Sequence, residues 1–216
     1  MIPILHTWMD ILLLGGVMML PLSLLAVVAL AILIEKGVVY GRATRMSDET
    51  RMLIETYDFS WEELERRLSS LGGGHYIGRF LHLIVEHRQR PVWWIESRAV
   101  DEGKVIETSL SRRLWLLETI VTAAPLMGLV GTIGGMMHSF HLIGANGLVN
   151  PTGVTGGVAQ ALIATALGLV IALIALFGFN FFSKLQSQTL DEMERLGTRL
   201  IDQIRIDRQE TPRETE

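Results

Sequence analysis

Residues 114–182 read LWLLETIVTAAPLMGLVGTIGGMMHSFHLIGANGLVNPTGVTGGVAQALIATALGLVIALIALFGFNFF, and this stretch decides the fold. After Glu118 the next acidic residue is Asp191, and Lys184 is the only basic residue between them. Two apolar segments, Leu114 to Ile143 and Val158 to Phe182, flank an uncharged loop. Each exceeds the roughly 20 helical residues needed to cross a hydrocarbon layer of about 30 Å, so both are read as membrane-spanning helices. A third apolar block, Ile11 to Ile34, brings the crossings to three.

The rest of the chain fits that reading. It has 216 residues, 49% of them hydrophobic, and the charges fall between the apolar blocks. A net charge of −4 and the lack of any basic run interleaved with aromatics give no attraction to nucleic acid. The absence of cysteine excludes disulfides, thiolate chemistry and cysteine-ligated metals. Of the 19 Lys and Arg, 13 lie between Lys36 and Arg113 and 6 between Lys184 and Arg213, so the positive-inside rule puts both regions in the cytoplasm. The expected layout is a periplasmic N-terminus and first crossing at 1–36, a cytoplasmic helical region at 37–113, a second crossing at 114–143, a periplasmic loop at 144–157, a third crossing at 158–183, and a cytoplasmic helix and tail at 184–216. The fold class is an all-α membrane protein whose crossings extend into long cytoplasmic helices.

The first block is not a secretion signal, because Met1 to Asp10 carries no Lys or Arg and no small-residue cleavage pattern follows. Pro21 sits inside it and needs neighbours to satisfy a freed carbonyl, with Trp8 and Tyr40 as interfacial anchors. Ser60 and Glu63 form a capping box that opens a helix with Trp61, Leu64 and Leu68 on one face, ended by Gly72 to Gly74. A second helix covers roughly Tyr76 to Gln89. Pro91 starts a third, carrying Trp93 and Trp94, and with no stop before Leu114 beyond Gly103 it is expected to run straight into the second crossing. After the third crossing, Met193, Leu196, Leu200 and Ile204 make one apolar stripe, which suggests a face for partner helices and so an oligomer. His75, His82 and His87 have no metal-ligand spacing. No nucleophile is paired with a base and no phosphate loop is present, so neither catalysis nor a cofactor is expected.

The two crossings share an unusual feature. In the second, Ala124, Gly128, Gly131 and Gly135 lie on one helical face beside Thr132, and in the third Ala161, Thr165, Gly168, Ala172 and Ala175 recur at steps of three or four. Small residues in such rows let helices approach closely in lipid, and a lone membrane threonine commonly bonds its own backbone. The alternative is a pore: Thr132 and Thr165 lie at similar depth in straight helices and in a ring form a belt of hydroxyls. No Asp, Glu, Lys or Arg lies between Thr119 and Ser183, so a proton path here takes its carboxylate from another chain.

The runs Ala124-Pro125-x-x-Gly128-Leu129-x-Gly131-Thr132-x-x-Gly135 and Ala161-Leu162-x-x-Thr165-x-x-Gly168-Leu169 resemble the signature of the ExbB/TolQ/MotA proton-channel subunits, nearest to the ExbB and TolQ branch. The resemblance implies a homopentamer in the bacterial inner membrane around the single membrane helices of two ExbD- or TolR-like subunits, whose aspartate carries the proton. It places Thr132 and Thr165 beside that aspartate, and Asn180 at a family position near the end of the third crossing. The work delivered points first to TonB-dependent uptake, with the Tol-Pal system or motility as alternatives, and a passive helical scaffold as the reading from another class. Gln160 stands where this branch commonly has glutamate, and Ile174 where a proline often interrupts the helix, so a titrating group at 160 is lost. Glu118 and Glu35 read as residues near the cytoplasmic headgroups, with attraction of protons at the inner mouth as the alternative for Glu118. His138 and His141, one turn apart at the outer end, read as polar groups at the membrane face or as a proton relay.

Overall fold

The computed structural model describes residues 17–44, 46–57, 59–72, 74–144 and 151–209. The start of the first apolar block with Trp8, the loop at 145–150, the tail at 210–216 and the side chain of His141 lie outside the described residues. Among the described residues there are seven helices and no strand: α1 (Met19–Ala43), α2 (Asp48–Thr56), α3 (Trp61–Ser70), α4 (Tyr76–Glu86), α5 (Val92–Ser111), α6 (Leu114–Gly144) and α7 (Pro151–Gln209). Three helical stretches, Met19–Arg42, Val92–Phe140 and Gly153–Arg208, are long and apolar enough to cross a membrane. The chain divides into two compact units, Met1–Ile34 with Arg113–Phe181, and Glu35–Arg112 with Phe182–Glu216.

The first unit is the apolar one. Met19, Leu22, Ala29 and Ile32 turn one face of α1 inward, while Leu20, Leu24, Val27 and Leu30 on the opposite face are exposed. Large apolar side chains are left outside on α6 and α7 as well, Leu126, Ile133, Phe140, Leu162, Leu173 and Phe177 among them. In water such a surface marks aggregation or an interface; on helices of this length it is the surface that lipid solvates. Pro21 falls in the first turn of α1, where its missing N–H has no intrahelical acceptor to lose, so the neighbour's help expected from the sequence is not required.

The second unit packs α2 to α5 and the later part of α7 around a core of Ile54, Leu64, Leu81, Ile84, Ile95, Ile106, Leu196 and Leu200, all buried. Each short helix has its own start signal. Ser47 Oγ accepts from the Thr50 N–H at 3.3 Å, Ser60 Oγ from the Glu63 N–H at 3.2 Å, and His75 Nδ1 from the Gly78 N–H at 3.0 Å. His75, buried, is therefore a cap in the Nε2–H tautomer. Glu63 uses its carboxylate on Arg67 at 2.9 Å, so the Ser60 box is observed through its serine half. Ion pairs link the elements: Arg51 to Glu192 at 2.6 Å, Arg79 to Glu102 at 2.6 Å, and Arg205 to Glu96. The hydrogen bond that Arg51 donates to Glu192 holds its guanidinium still more firmly protonated than usual.

Two expectations change. The helix from Pro91 does not run on into the second crossing. It ends at Arg112 (ψ 127°), and Arg113 takes φ +67°, the left-handed region that a non-glycine residue seldom adopts. What holds the end is distant in sequence: Lys36 is buried at 2% exposure and its Nζ donates to the Leu110 carbonyl at 2.6 Å. That carbonyl is one of the four at the end of α5 without an intrahelical donor, where a cation is favoured. The helix that carries the third apolar segment begins at Pro151, ahead of Val158, and continues without interruption into the C-terminal helix. The stripe Met193, Leu196, Leu200 and Ile204 is buried within this chain, not held out for another: an added Cβ on Gly197 meets Phe80 Cε1 at 2.7 Å and Ile84 Cδ1 at 3.3 Å.

Candidate functional site

The small residues of α6 and α7 form one seam. An added Cβ on Gly128 meets Thr165 Cα at 2.8 Å and the Ala164 oxygen at 3.1 Å; on Gly131 it meets Ala164 Cβ at 2.9 Å; on Gly135 it meets Ala161 Cβ at 2.8 Å. From the other side, a Cβ on Gly168 runs into the Ala124 carbonyl and lies 3.3 Å from Gly128 Cα. Ala124, Ala161, Ala164, Ala172 and Ala175 are buried. The backbones are in contact along this line, which is the close approach that small side chains permit in lipid. At the end of the seam beyond Gly135, Ser139, 2% exposed, donates to the Gly135 carbonyl at 2.9 Å, and a Cβ on Gly157 would overlap its Oγ. Ser139 is a seam residue that sequence reasoning missed; its spacing of four from Gly135 is the only signal that marks it. Met18 Cβ, one residue before α1, lies 3.4 Å from the position of a Gly131 Cβ, and Leu33 of α1 occupies that of a Gly178 Cβ, so α1 and its lead-in residue reach both helices of the pair.

The two threonines border this seam but use their hydroxyls differently. Thr165, half-buried on α7, donates from Oγ1 to the Gly128 carbonyl at 2.8 Å, a bond between helices. Thr132, half-buried on α6, donates to the Leu129 carbonyl of its own turn at 2.7 Å. In each case the hydroxyl proton is engaged and the oxygen keeps lone pairs that can accept from a third group. Pro125 lies inside α6, where it has no N–H to return to the Val121 carbonyl. Gln160 is half-buried on α7, Asn180 is exposed, and Glu118 and His138 are exposed on α6. Among the described residues no three His, Asp or Glu side chains converge as metal ligands.

The second unit holds a cleft of about 410 Å³ between α5 and α7, lined by Phe80, Ala99, Gly103, Met193 and Gly197. Glu96 and Arg205 on its wall pair with each other, and no nucleophile is set beside a base among its lining residues.

Residues 77–195 match the model of a family described as the MotA/TolQ/ExbB proton channel family, a span that contains both threonines and the whole seam. A Synechocystis sp. protein named ExbB-like 1 is 32% identical over 193 residues, covering 86% of this chain and 74% of that one. The biopolymer transport protein ExbB of Xanthomonas campestris pv. campestris is 40% identical over 107 residues, covering 49% of this chain and 42% of that one. ExbB of Aquifex aeolicus is 39% identical over 101 residues, 45% of this chain and 68% of that one.

Proposed function

This chain belongs to the MotA/TolQ/ExbB proton channel family, on its ExbB side, and from that premise we propose that it is the ring-forming subunit of a proton-driven motor in the bacterial inner membrane. Its copies form a homopentamer around the single membrane helices of a small ExbD- or TolR-like partner. The partner's aspartate takes up and releases the proton, and the motion is passed to the cell envelope, first of all to TonB-dependent uptake. The N-terminus faces the periplasm and the C-terminus the cytoplasm, as the placement of the 19 cationic residues favours. We assign the chain no catalytic chemistry and no cofactor.

One observation carries this reading. Thr132 and Thr165 flank one seam in a stretch with no Asp, Glu, Lys or Arg from Thr119 to Ser183. Hydroxyls orient or relay a proton and do not store one, so a chain that moves protons along this stretch needs a carboxylate from elsewhere. Gln160, an amide, does not supply it. A passive scaffold is the competing reading, and the bond from Thr165 to Gly128 favours it, since a hydroxyl committed to a carbonyl is also what a structural membrane threonine provides.

The stoichiometry tests the proposal. Purified with its single-span partner and measured by native mass spectrometry, the complex is expected to contain five copies of the 24.1 kDa chain with the partner helices bound. Another copy number, or a ring that retains lipid and no partner, overturns it. Which partner is retained, of the TonB, Tol-Pal or motility type, identifies the system served.

A further inference from the structure

The seam between α6 and α7 is closed by backbone contact at Gly128, Gly131, Gly135 and Gly168, so no file of water passes along it. The polar groups of α6 lie elsewhere. At 100° per residue, Glu118, Thr122, Leu129, Thr132 and Met136 fall within a sector of about 80° on the side of α6 turned away from Ala124 and Gly131. Glu118 and Thr122 are exposed there, Thr119 is exposed about 60° to one side, and Thr132 stands at the sector's edge where it meets the seam. Thr119 donates to the Trp115 carbonyl at 2.8 Å and Thr122 to the Thr119 carbonyl at 2.9 Å, which leaves both oxygens outward as acceptors. Pro125, between Thr122 and Thr132, frees the Val121 carbonyl from helical pairing and adds a further acceptor.

A carboxylate and two hydroxyls on one exposed sector of a membrane helix are a poor surface for lipid, since polar and ionisable groups on membrane helices face a bundle interior or line water. The rise from Thr132 to Glu118 is about 21 Å, enough to run from the middle of a 30 Å hydrocarbon layer to its edge. We propose that this sector of α6 is the inner half of the ion path, and that Glu118 is the proton acceptor at its cytoplasmic mouth. The Glu118 carboxylate takes a proton from the water file and returns it to bulk water, with Thr122 and Thr119 ordering the file. The inference rests on the proton-channel reading and adds to it the exit route and an acid of this chain's own.

The test is proton flux into vesicles holding the chain with its co-purified partner, followed by an internal pH-sensitive dye. Glu118→Gln is expected to lower the flux about 100-fold, the lower end for loss of a positioned proton-transfer group, and Thr122→Val by a smaller factor, while Glu118→Asp retains most of it and all three assemble at wild-type mass. Undiminished flux in Glu118→Gln and Thr122→Val, with Thr132→Val and Thr165→Val inactive, overturns the exit route and leaves the channel reading standing. No flux from the wild-type complex overturns both. Equal loss in Glu118→Asp and Glu118→Gln also contradicts the proposal, because it marks a geometric role for the side chain and not a titrating one.

Discussion

Replacing Gly168 by valine is expected to force α6 and α7 apart and to abolish assembly of the proposed ring. A Cβ at this position overlaps the Ala124 carbonyl and stands 3.2 Å from the Ala124 carbonyl carbon and 3.3 Å from Gly128 Cα, so what it meets is backbone. Backbone inside a helix cannot turn aside as a side chain can. Overpacking of a close-packed site costs about 1–3 kcal/mol, and a clash with main chain belongs at the upper end or above. The bond from Thr165 to Gly128, one residue layer away, is lost with it because the same two helices must separate to relieve the clash. Size-exclusion profiles and thermal melting in detergent read the effect. Gly178→Ala is the internal control: its added Cβ meets only the end of the Leu33 side chain, which has other rotamers, and its melting temperature is expected to stay much closer to wild type.

The second large effect is expected at Lys36. Its ammonium is buried and bonded to the Leu110 carbonyl at the end of α5, two residues before the backbone break at Arg112 and Arg113. Lys36→Met keeps the stem and removes the charge, leaving that carbonyl buried without its donor at about 1–3 kcal/mol. Lys36→Ala adds a cavity and brings the loss to several kcal/mol. Amide exchange at the C-terminal end of α5 is expected to rise in both variants before that of α4 does, because the last turn loses the group that satisfies it. Equal melting temperatures and equal exchange in Lys36→Met would show that the break is held by other contacts.

These two sites mark what could be read from the residues alone and what could not. The serine cap at Ser60 and the face Leu64 and Leu68 were legible because a cap and its helix are local, complete within a few residues. The rows Ala124, Gly128, Gly131 and Ala161, Thr165, Gly168 were legible as rows, since helical spacing says which side chains share a face. Spacing does not say what the face meets. Hence the apolar stripe at Met193 to Ile204 looked available to a partner, although Phe80 and Ile84 of the same chain cover it. The stop at Arg112 was invisible because neither it nor Arg113 is glycine or proline, and the group that caps the end is 74 positions away. The helix Asp48–Thr56 was missed in spite of its Ser47 cap, being too short for its apolar positions to establish a period. The hydroxyl partners of Thr132 and Thr165 were equally beyond sequence, since a membrane threonine can bond its own turn or a neighbouring helix with the same spacing.

In the proposed channel the two hydroxyls serve ion movement as well as packing. Proton flux through the purified complex in sealed vesicles, comparing Thr165→Ser with Thr165→Val, tests it most directly. Serine keeps the oxygen that bonds the Gly128 carbonyl; valine keeps the volume and removes the oxygen. Flux close to wild type in Thr165→Ser and reduced about ten-fold or more in Thr165→Val, with both rings intact, is the predicted result. Wild-type flux in an intact Thr165→Val ring would contradict it and leave the threonine a packing residue.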